Sequence, residues 1–123
     1  ERPSIRSDGT LVRDYLFVED CVDGYLTLAE AMDAPRIQGL AFNISAELPM
    51  TVLQVVEHIR RAMNRMDIEP DVRNEAKAEI RAQHLSAARA REMLGWRPGH
   101  TFEQGLGKTI PWYVDFLKAE HGR

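Results

Sequence analysis

Cysteine is nearly missing. Cys21 is the single one in 123 residues, so no internal disulfide can form, and a reducing compartment, the cytoplasm, is expected. Metal-ligand spacing is missing too: His58, His84, His100 and His121 are scattered, with no second cysteine beside them, and no metal site is expected. No apolar run approaches the ~18–20 residues that cross a bilayer, so no membrane contact is expected, and no signal-peptide pattern is visible. Positive charge is not in excess, since 16 Lys and Arg against 19 Asp and Glu leave a formal net charge of −3. A dedicated nucleic-acid binder would be basic, so that class of partner is set aside. A small anionic ligand held by a few specific arginines is not.

Self-contained catalytic chemistry is also missing. No G-x-G-x-x-G follows a strand, so the dinucleotide fingerprint is absent. Gly107-Lys108-Thr109 resembles the end of a phosphate loop, but Phe102 stands where that pattern needs glycine, and the tripeptide sits inside a helical pattern. No Ser-His-Asp or Cys-His arrangement follows from spacing, and Cys21 lies on a helix among core residues, where it packs rather than reacts.

What is present is an ordinary globular composition, 44% hydrophobic and 28% charged, in a chain of one domain, residues 1–123. The chain opens on Glu1-Arg2-Pro3 without an initiator methionine, which predicts a piece of a longer protein. Residues 11–18 read as a strand, rich in β-branched and aromatic residues and preceded by the turn signal Ser7-Asp8-Gly9. A helix over 20–32 follows, with Val22, Tyr25, Leu26, Ala29 and Met32 as its buried stripe. Residues 39–45 read as a short strand. Thr51 and Gln54 fit a capping box for a helix that buries Val52, Val55, Val56, Ile59 and Met63. Residues 70–74 suggest an edge strand, and the Ala-rich run over 75–83 is ambiguous. Ser86 is placed to cap a helix reaching Leu94, with Gly95 at its left-handed end. Thr101 and Gln104 form a second capping box, and Phe102, Leu106, Ile110, Tyr113 and Phe116 or Leu117 line the buried side of the last helix. Pro111 predicts a kink there, or two helical pieces. The class is α/β, of an α+β-like kind, with few short strands and about four helices.

Five stretches, in order, carry a family resemblance. The run from Ser7-Asp8-Gly9 through Arg13-Asp14-Tyr15 to Val18-Glu19-Asp20 is the first, and Ala41-Phe42-Asn43-Ile44-Ser45 the second. Pro49-Met50-Thr51-Val52 through Val56 is the third, and Leu85-Ser86 through Leu94-Gly95-Trp96-Arg97-Pro98 the fourth. Thr101-Phe102-Glu103-Gln104-Gly105-Leu106 through Trp112-Tyr113 is the fifth. Together they resemble the C-terminal, substrate-binding portion of the extended short-chain dehydrogenase/reductases, the NAD-dependent epimerases and dehydratases of nucleotide sugars.

The resemblance implies an N-terminal Rossmann half that binds NAD(P) and carries a Tyr-x-x-x-Lys pair. Neither is here: Tyr15, Tyr25 and Tyr113 have Glu19, Ala29 and Leu117 four residues on. It implies a parent enzyme, a 4,6-dehydratase or epimerase and often a homodimer, in which this chain holds the nucleotide diphosphate and alone is inactive. Arg13 matches the family's strand arginine on the diphosphate, a role its bidentate guanidinium suits. Arg81 stands where many relatives carry an arginine; it is placed either to close on the phosphates from the other side or to lie on a solvated helix face beside Lys77 and Arg89. Asn43 is placed to contact the nucleotide, or to serve as a turn residue. Arg6 takes the place of an aromatic residue that stacks on the base. Residues 2–6 are similar to CDP-glucose 4,6-dehydratases, whereas Arg13-Asp14-Tyr15 is nearer to the dTDP-glucose, GDP-mannose and UDP-sugar branches, so the base stays open. Ser86 replaces the usual Asp at its helix start, and both residues are good caps. From the sequence a second function also stays open, a stand-alone binding or interaction module without catalysis.

Overall fold

Two capping boxes and a left-handed glycine fix much of the local structure. Thr51 Oγ1 accepts from the Gln54 N–H at 3.2 Å, and Gln54 Oε1 accepts from the Thr51 N–H at 2.8 Å. Thr101 and Gln104 repeat the exchange at 3.2 and 2.8 Å. Each box satisfies two backbone donors that a helix start leaves unpaired. Gly95 closes a third helix at φ +71°, a conformation that glycine adopts without strain.

The structure, a computed structural model, describes residues 2–121; Glu1, Gly122, Arg123 and the side chain of His121 lie outside it. In chain order its elements are β1 (Ser4–Ile5), β2 (Val12–Asp14), α1 (Val18–Ala31), β3 (Pro49–Thr51), α2 (Val52–Ala62), β4 (Asp71–Val72), β5 (Ala82–Gln83), α3 (Ala88–Leu94) and α4 (Phe102–His121). This is the expected mixed class, with four helices and only short strands. β1 pairs in parallel with β4. β2 is the middle of a three-stranded sheet, antiparallel to β3 and parallel to β5. Arg13 thus stands opposite Met50 on one side and Gln83 on the other.

The core is small. Ala87, Ala90 and Trp96 are buried together, and Leu16, Phe42, Ile44 and Leu94 pack against them. α1 approaches α3, and α2 approaches α4.

Four expectations need correction. The strand expected over 11–18 is only Val12–Asp14, because α1 begins at Val18. Residues 39–45 form no strand; Phe42 and Ile44 turn toward the Trp96 cluster, but no other described segment pairs with their backbone. Pro111 does not split the last helix, which runs as one 20-residue element around it. The stripe expected to be buried on α1 is exposed, with Tyr25 at 69% and Leu26 at 58%; on α4 Phe102, Leu106 and Ile110 are partly buried, and only the later part is exposed, with Tyr113 at 54%. On α1 the side turned to this chain is instead Asp20, Cys21, Gly24 and Leu28.

Candidate functional site

The short strand β2 places two charged side chains back to back, since successive residues of a strand face opposite ways. Asp14 points into the chain. Its Oδ1 accepts from the Leu48 N–H at 3.1 Å, and its Oδ2 accepts from the Leu85 N–H at 3.1 Å and from the Ser45 hydroxyl. One carboxylate therefore ties together the segments before β3 and after β5. Charge-assisted bonds of this kind are about twice as strong as neutral ones.

Arg13 points the other way, toward the segment that precedes β5. Its NH1 donates to the carbonyls of Val12 at 2.8 Å and Ile80 at 2.9 Å, and its NH2 donates to Glu79 Oε2 at 3.2 Å. Its side chain keeps 29% exposure.

Residues 74–83, ambiguous in the sequence, bring the three candidate arginines to one border. The Arg6 carbonyl accepts from the N–H groups of Glu75 at 2.7 Å and Ala76 at 3.0 Å. The Arg81 carbonyl accepts from the Val12 N–H at 2.8 Å, so Arg81 enters β5 beside β2. Arg6 and Arg81 are exposed, and neither guanidinium has a hydrogen bond or ion pair among the described residues. Arg81 does act on Asp8, whose carboxyl is held below its ordinary value by hydrogen bonds from the Thr10 N–H and hydroxyl, with the Arg81 charge adding to them.

Asn43 is used differently. Its Nδ2 donates to the Ser86 carbonyl at 3.2 Å, joining the 40–48 loop to the start of α3. The same helix start is completed by Glu47, which accepts from the Ala87 N–H at 3.0 Å, from the Ser86 hydroxyl at 3.2 Å and from Arg91 NH1 at 2.5 Å. Arg91 and the Ala87 N–H hold the Glu47 carboxyl below its usual range. Ser86 Oγ accepts from the Ala88 N–H at 3.3 Å, but the cap position itself falls on Ala87, one residue later than expected, which makes no side-chain cap bond.

Sequence reasoning missed Asp14, Glu47 and Glu79 as parts of this region. Asp14 lies inside one of the stretches that carry the resemblance, and that was its available signal. Glu47 and Glu79 meet partners far along the chain, and no local pattern marks them.

A second feature lies away from the arginines. A cavity of about 980 Å³ opens between residues 15–19, the 98–101 turn and α4, with Phe17, Phe102, Trp112 and Tyr113 in its wall. At its edge Lys108 Nζ lies 2.5 Å from Glu19 Oε2 and 3.1 Å from His100 Nε2. Gly107-Lys108-Thr109 is thus mid-helix, with its lysine spent on an ion pair rather than on a phosphate loop. None of Arg6, Arg13, Asn43 and Arg81 lines this cavity.

The described residues do not fit a dinucleotide cofactor. That group needs glycines where a strand passes into a helix. Here β2 reaches α1 through Tyr15, Leu16 and Phe17, β3 runs directly into α2, and the positive-φ glycines Gly9, Gly39 and Gly95 lie elsewhere. No group of His, Cys, Asp and Glu that could hold a metal ion occurs among the described residues, and no helix is long and apolar enough to cross a membrane.

No family model matches the chain. It is similar to the UDP-glucose 4-epimerase of Mycolicibacterium smegmatis, 30% identical over 109 residues, covering 89% of this chain and 33% of that protein. Its fold is similar to a crystal structure of UDP-glucose 4-epimerase with UDP-glucose from Thermotoga maritima. That likeness has a TM-score of 0.79 and 30% identity, covering 95% of this chain and 36% of the other. The dTDP-glucose 4,6-dehydratase of Bacillus anthracis, solved in complex with NAD, gives a TM-score of 0.75 at 28% identity, over 94% of this chain and 35% of that one. The chain spans about a third of the length of the relatives it matches. Through that third, by sequence and by fold, it is similar to nucleotide-sugar epimerases and dehydratases, the UDP-glucose 4-epimerases and dTDP-glucose 4,6-dehydratases among them.

Proposed function

We propose that this chain is the C-terminal, substrate-binding part of an NAD(P)-dependent nucleotide-sugar 4,6-dehydratase or epimerase, and that Arg13 holds the diphosphate of the substrate. The observation that carries this reading is the position of Arg13 on β2, at a border it shares with Arg6 and Arg81. A guanidinium offers paired donors to phosphate oxygens, and neighbouring exposed arginines raise the local anion concentration. On this reading the chain supplies affinity and orientation. NAD(P) and the proton-transferring tyrosine and lysine come from polypeptide outside these residues, so the chain alone turns nothing over.

The exposed apolar faces support the same reading. Val18, Val22, Tyr25 and Leu26 on α1 and Met32 just after it are uncovered, as are Trp112, Tyr113 and Phe116 on α4. A finished monomer rarely shows that much contiguous apolar surface. A Rossmann half, of the kind relatives three times as long have room for, is the natural cover. A stand-alone binding module would leave these faces wet, which is why it ranks second. The matched relatives named for UDP-glucose and dTDP-glucose favour uracil or thymine as the base, and the likeness of residues 2–6 to CDP-glucose 4,6-dehydratases makes cytosine the third candidate.

The test is Arg13→Ala in the intact protein, with steady-state kinetics on UDP-glucose, dTDP-glucose and CDP-glucose. Losing one charge-assisted contact raises KM on the order of tenfold to a hundredfold with a smaller change in kcat. An unchanged KM on whichever substrate turns over would sink the assignment.

A further inference from the structure

Arg13 already holds an anion. Glu79 Oε2 lies 3.2 Å from its NH2, while its NH1 is engaged by two carbonyls. A guanidinium presents five donors in one plane, and a phosphate binds along an edge of that plane. The Glu79 carboxylate therefore occupies donor capacity that an incoming phosphate would need. Both side chains are partly open to water, at 29% and 43%, and an exposed pair of this kind is weak enough to be displaced.

The segment that carries Glu79 is held at both ends. The Glu75 and Ala76 N–H groups are bonded to the Arg6 carbonyl, and the Arg81 carbonyl to the Val12 N–H. Between them Ala78 sits at φ +60°, a conformation that a residue with a Cβ rarely adopts. The pinned ends hold Glu79 near Arg13. The other anion on β2, Asp14, is committed to Ser45, Leu48 and Leu85 and does not compete.

We propose that Glu79 is an internal counter-ion that competes with the anionic ligand for Arg13, setting how tightly a diphosphate binds. This rests on the reading of Arg13 as the residue that meets the diphosphate. An internal competitor lowers apparent affinity by the fraction of molecules in which it holds the site. It also spares Arg13 from lying unpaired when the site is empty.

Isothermal titration calorimetry with UDP and with inorganic pyrophosphate, on the intact protein and its Glu79→Gln, Arg13→Ala and doubly substituted forms, tests this. Gln keeps the size of Glu, and position 79 is exposed, so folding is not at stake. The expected result is binding about three- to fivefold tighter in Glu79→Gln, the worth of one exposed pair, with that gain abolished in the Arg13→Ala background. Equal or weaker binding in Glu79→Gln, with Arg13→Ala still impaired, overturns the competition and leaves the role of Arg13 standing. Arg13→Ala binding as tightly as the unsubstituted protein overturns both.

Discussion

The carboxylate of Asp20 takes both the backbone and the ring of His100. Oδ2 accepts from the His100 N–H at 3.2 Å, and Oδ1 lies 2.7 Å from ring Nδ1 while also accepting from the Gly99 N–H at 3.1 Å. With the aspartate ionised, Nδ1 carries the proton, and Nε2 is left to accept from Lys108 at 3.1 Å. The first turn of α1 is thereby fastened to the turn that starts α4, 80 residues later.

That fastening has a pH signature. Burial pushes the Asp20 carboxyl up, but the hydrogen bonds from the His100 ring and from the Gly99 and His100 N–H groups together outweigh it, and the net shift is below the ordinary 3.8. A depressed carboxylate contributes stability that is full above its unfolded value and is lost as pH falls through its folded value. Asp20→Asn should therefore be less stable than the unsubstituted protein at neutral pH, with the gap closing below about pH 3.8. Urea unfolding at pH 7 and pH 3 measures it; a gap that stays constant with pH contradicts the account in which the ionised carboxylate holds this turn. Asp20→Ala, which orphans two backbone donors, should cost about 2–3 kcal/mol at pH 7.

Asp14 is the second carboxylate on which distant segments converge. Asp14→Ala removes the acceptor for Ser45, Leu48 and Leu85 at once. The expected loss is about 3 kcal/mol, and Asp14→Asn should keep part of it because one oxygen still accepts. Chemical denaturation reads both. Amide exchange at Leu48 and Leu85 should rise in Asp14→Ala well before exchange within α4 does.

Two glycines should respond to alanine with opposite signs. A Cβ on Gly24 would lie 2.7 Å from Ile44 Cγ2 and 3.0 Å from its Cδ1, the atom that valine lacks, and Ile44 packs against the Trp96 cluster. Gly24→Ala should cost about 1–3 kcal/mol, with part of it returned by Ile44→Val. A Cβ on Gly107 would meet nothing within 4 Å, and the residue is inside α4. Gly107→Ala should stabilise by about 0.5–1 kcal/mol. Thermal unfolding of the two variants, and of Gly24→Ala combined with Ile44→Val, separates these effects.

The capping boxes should each be worth about 1 kcal/mol. Thr51→Ala and Thr101→Ala touch helices α2 and α4 at separate starts, so the two losses are best compared with that of the double variant. An excess over their sum would mean that the two helix starts are coupled through the α2–α4 contact.

These predictions also divide what could be read from the sequence from what could not. The capping boxes at Thr51 and Thr101 and the left-handed Gly95 were legible because each is settled within a few consecutive residues. The helical period of α1 was legible too, but not its buried side. Val22, Tyr25 and Leu26 are the more apolar face, yet Cys21, Gly24 and Leu28 are the ones this chain covers. Periodicity reports that a face is apolar, not which partner lies against it. Residues 39–45 have strand composition, but a strand also needs a neighbour, and no described segment supplies one.

The site divides in the same way. Arg13 could be singled out from its motif, and the structure gives it a place on β2. Its pairing with Glu79, and the meeting of Arg6 and Arg81 along residues 74–83, depend on contacts spanning more than 60 positions. Asn43 was legible as a candidate, but its bond to the Ser86 carbonyl, 43 residues away, was not.

The most direct test of the central claim is a crystal structure of the intact protein with UDP, dTDP or CDP bound. The account predicts a diphosphate oxygen within about 3 Å of the Arg13 guanidinium, with Glu79 displaced from NH2. A nucleotide bound elsewhere, with the Arg13–Glu79 pair still closed, would contradict it.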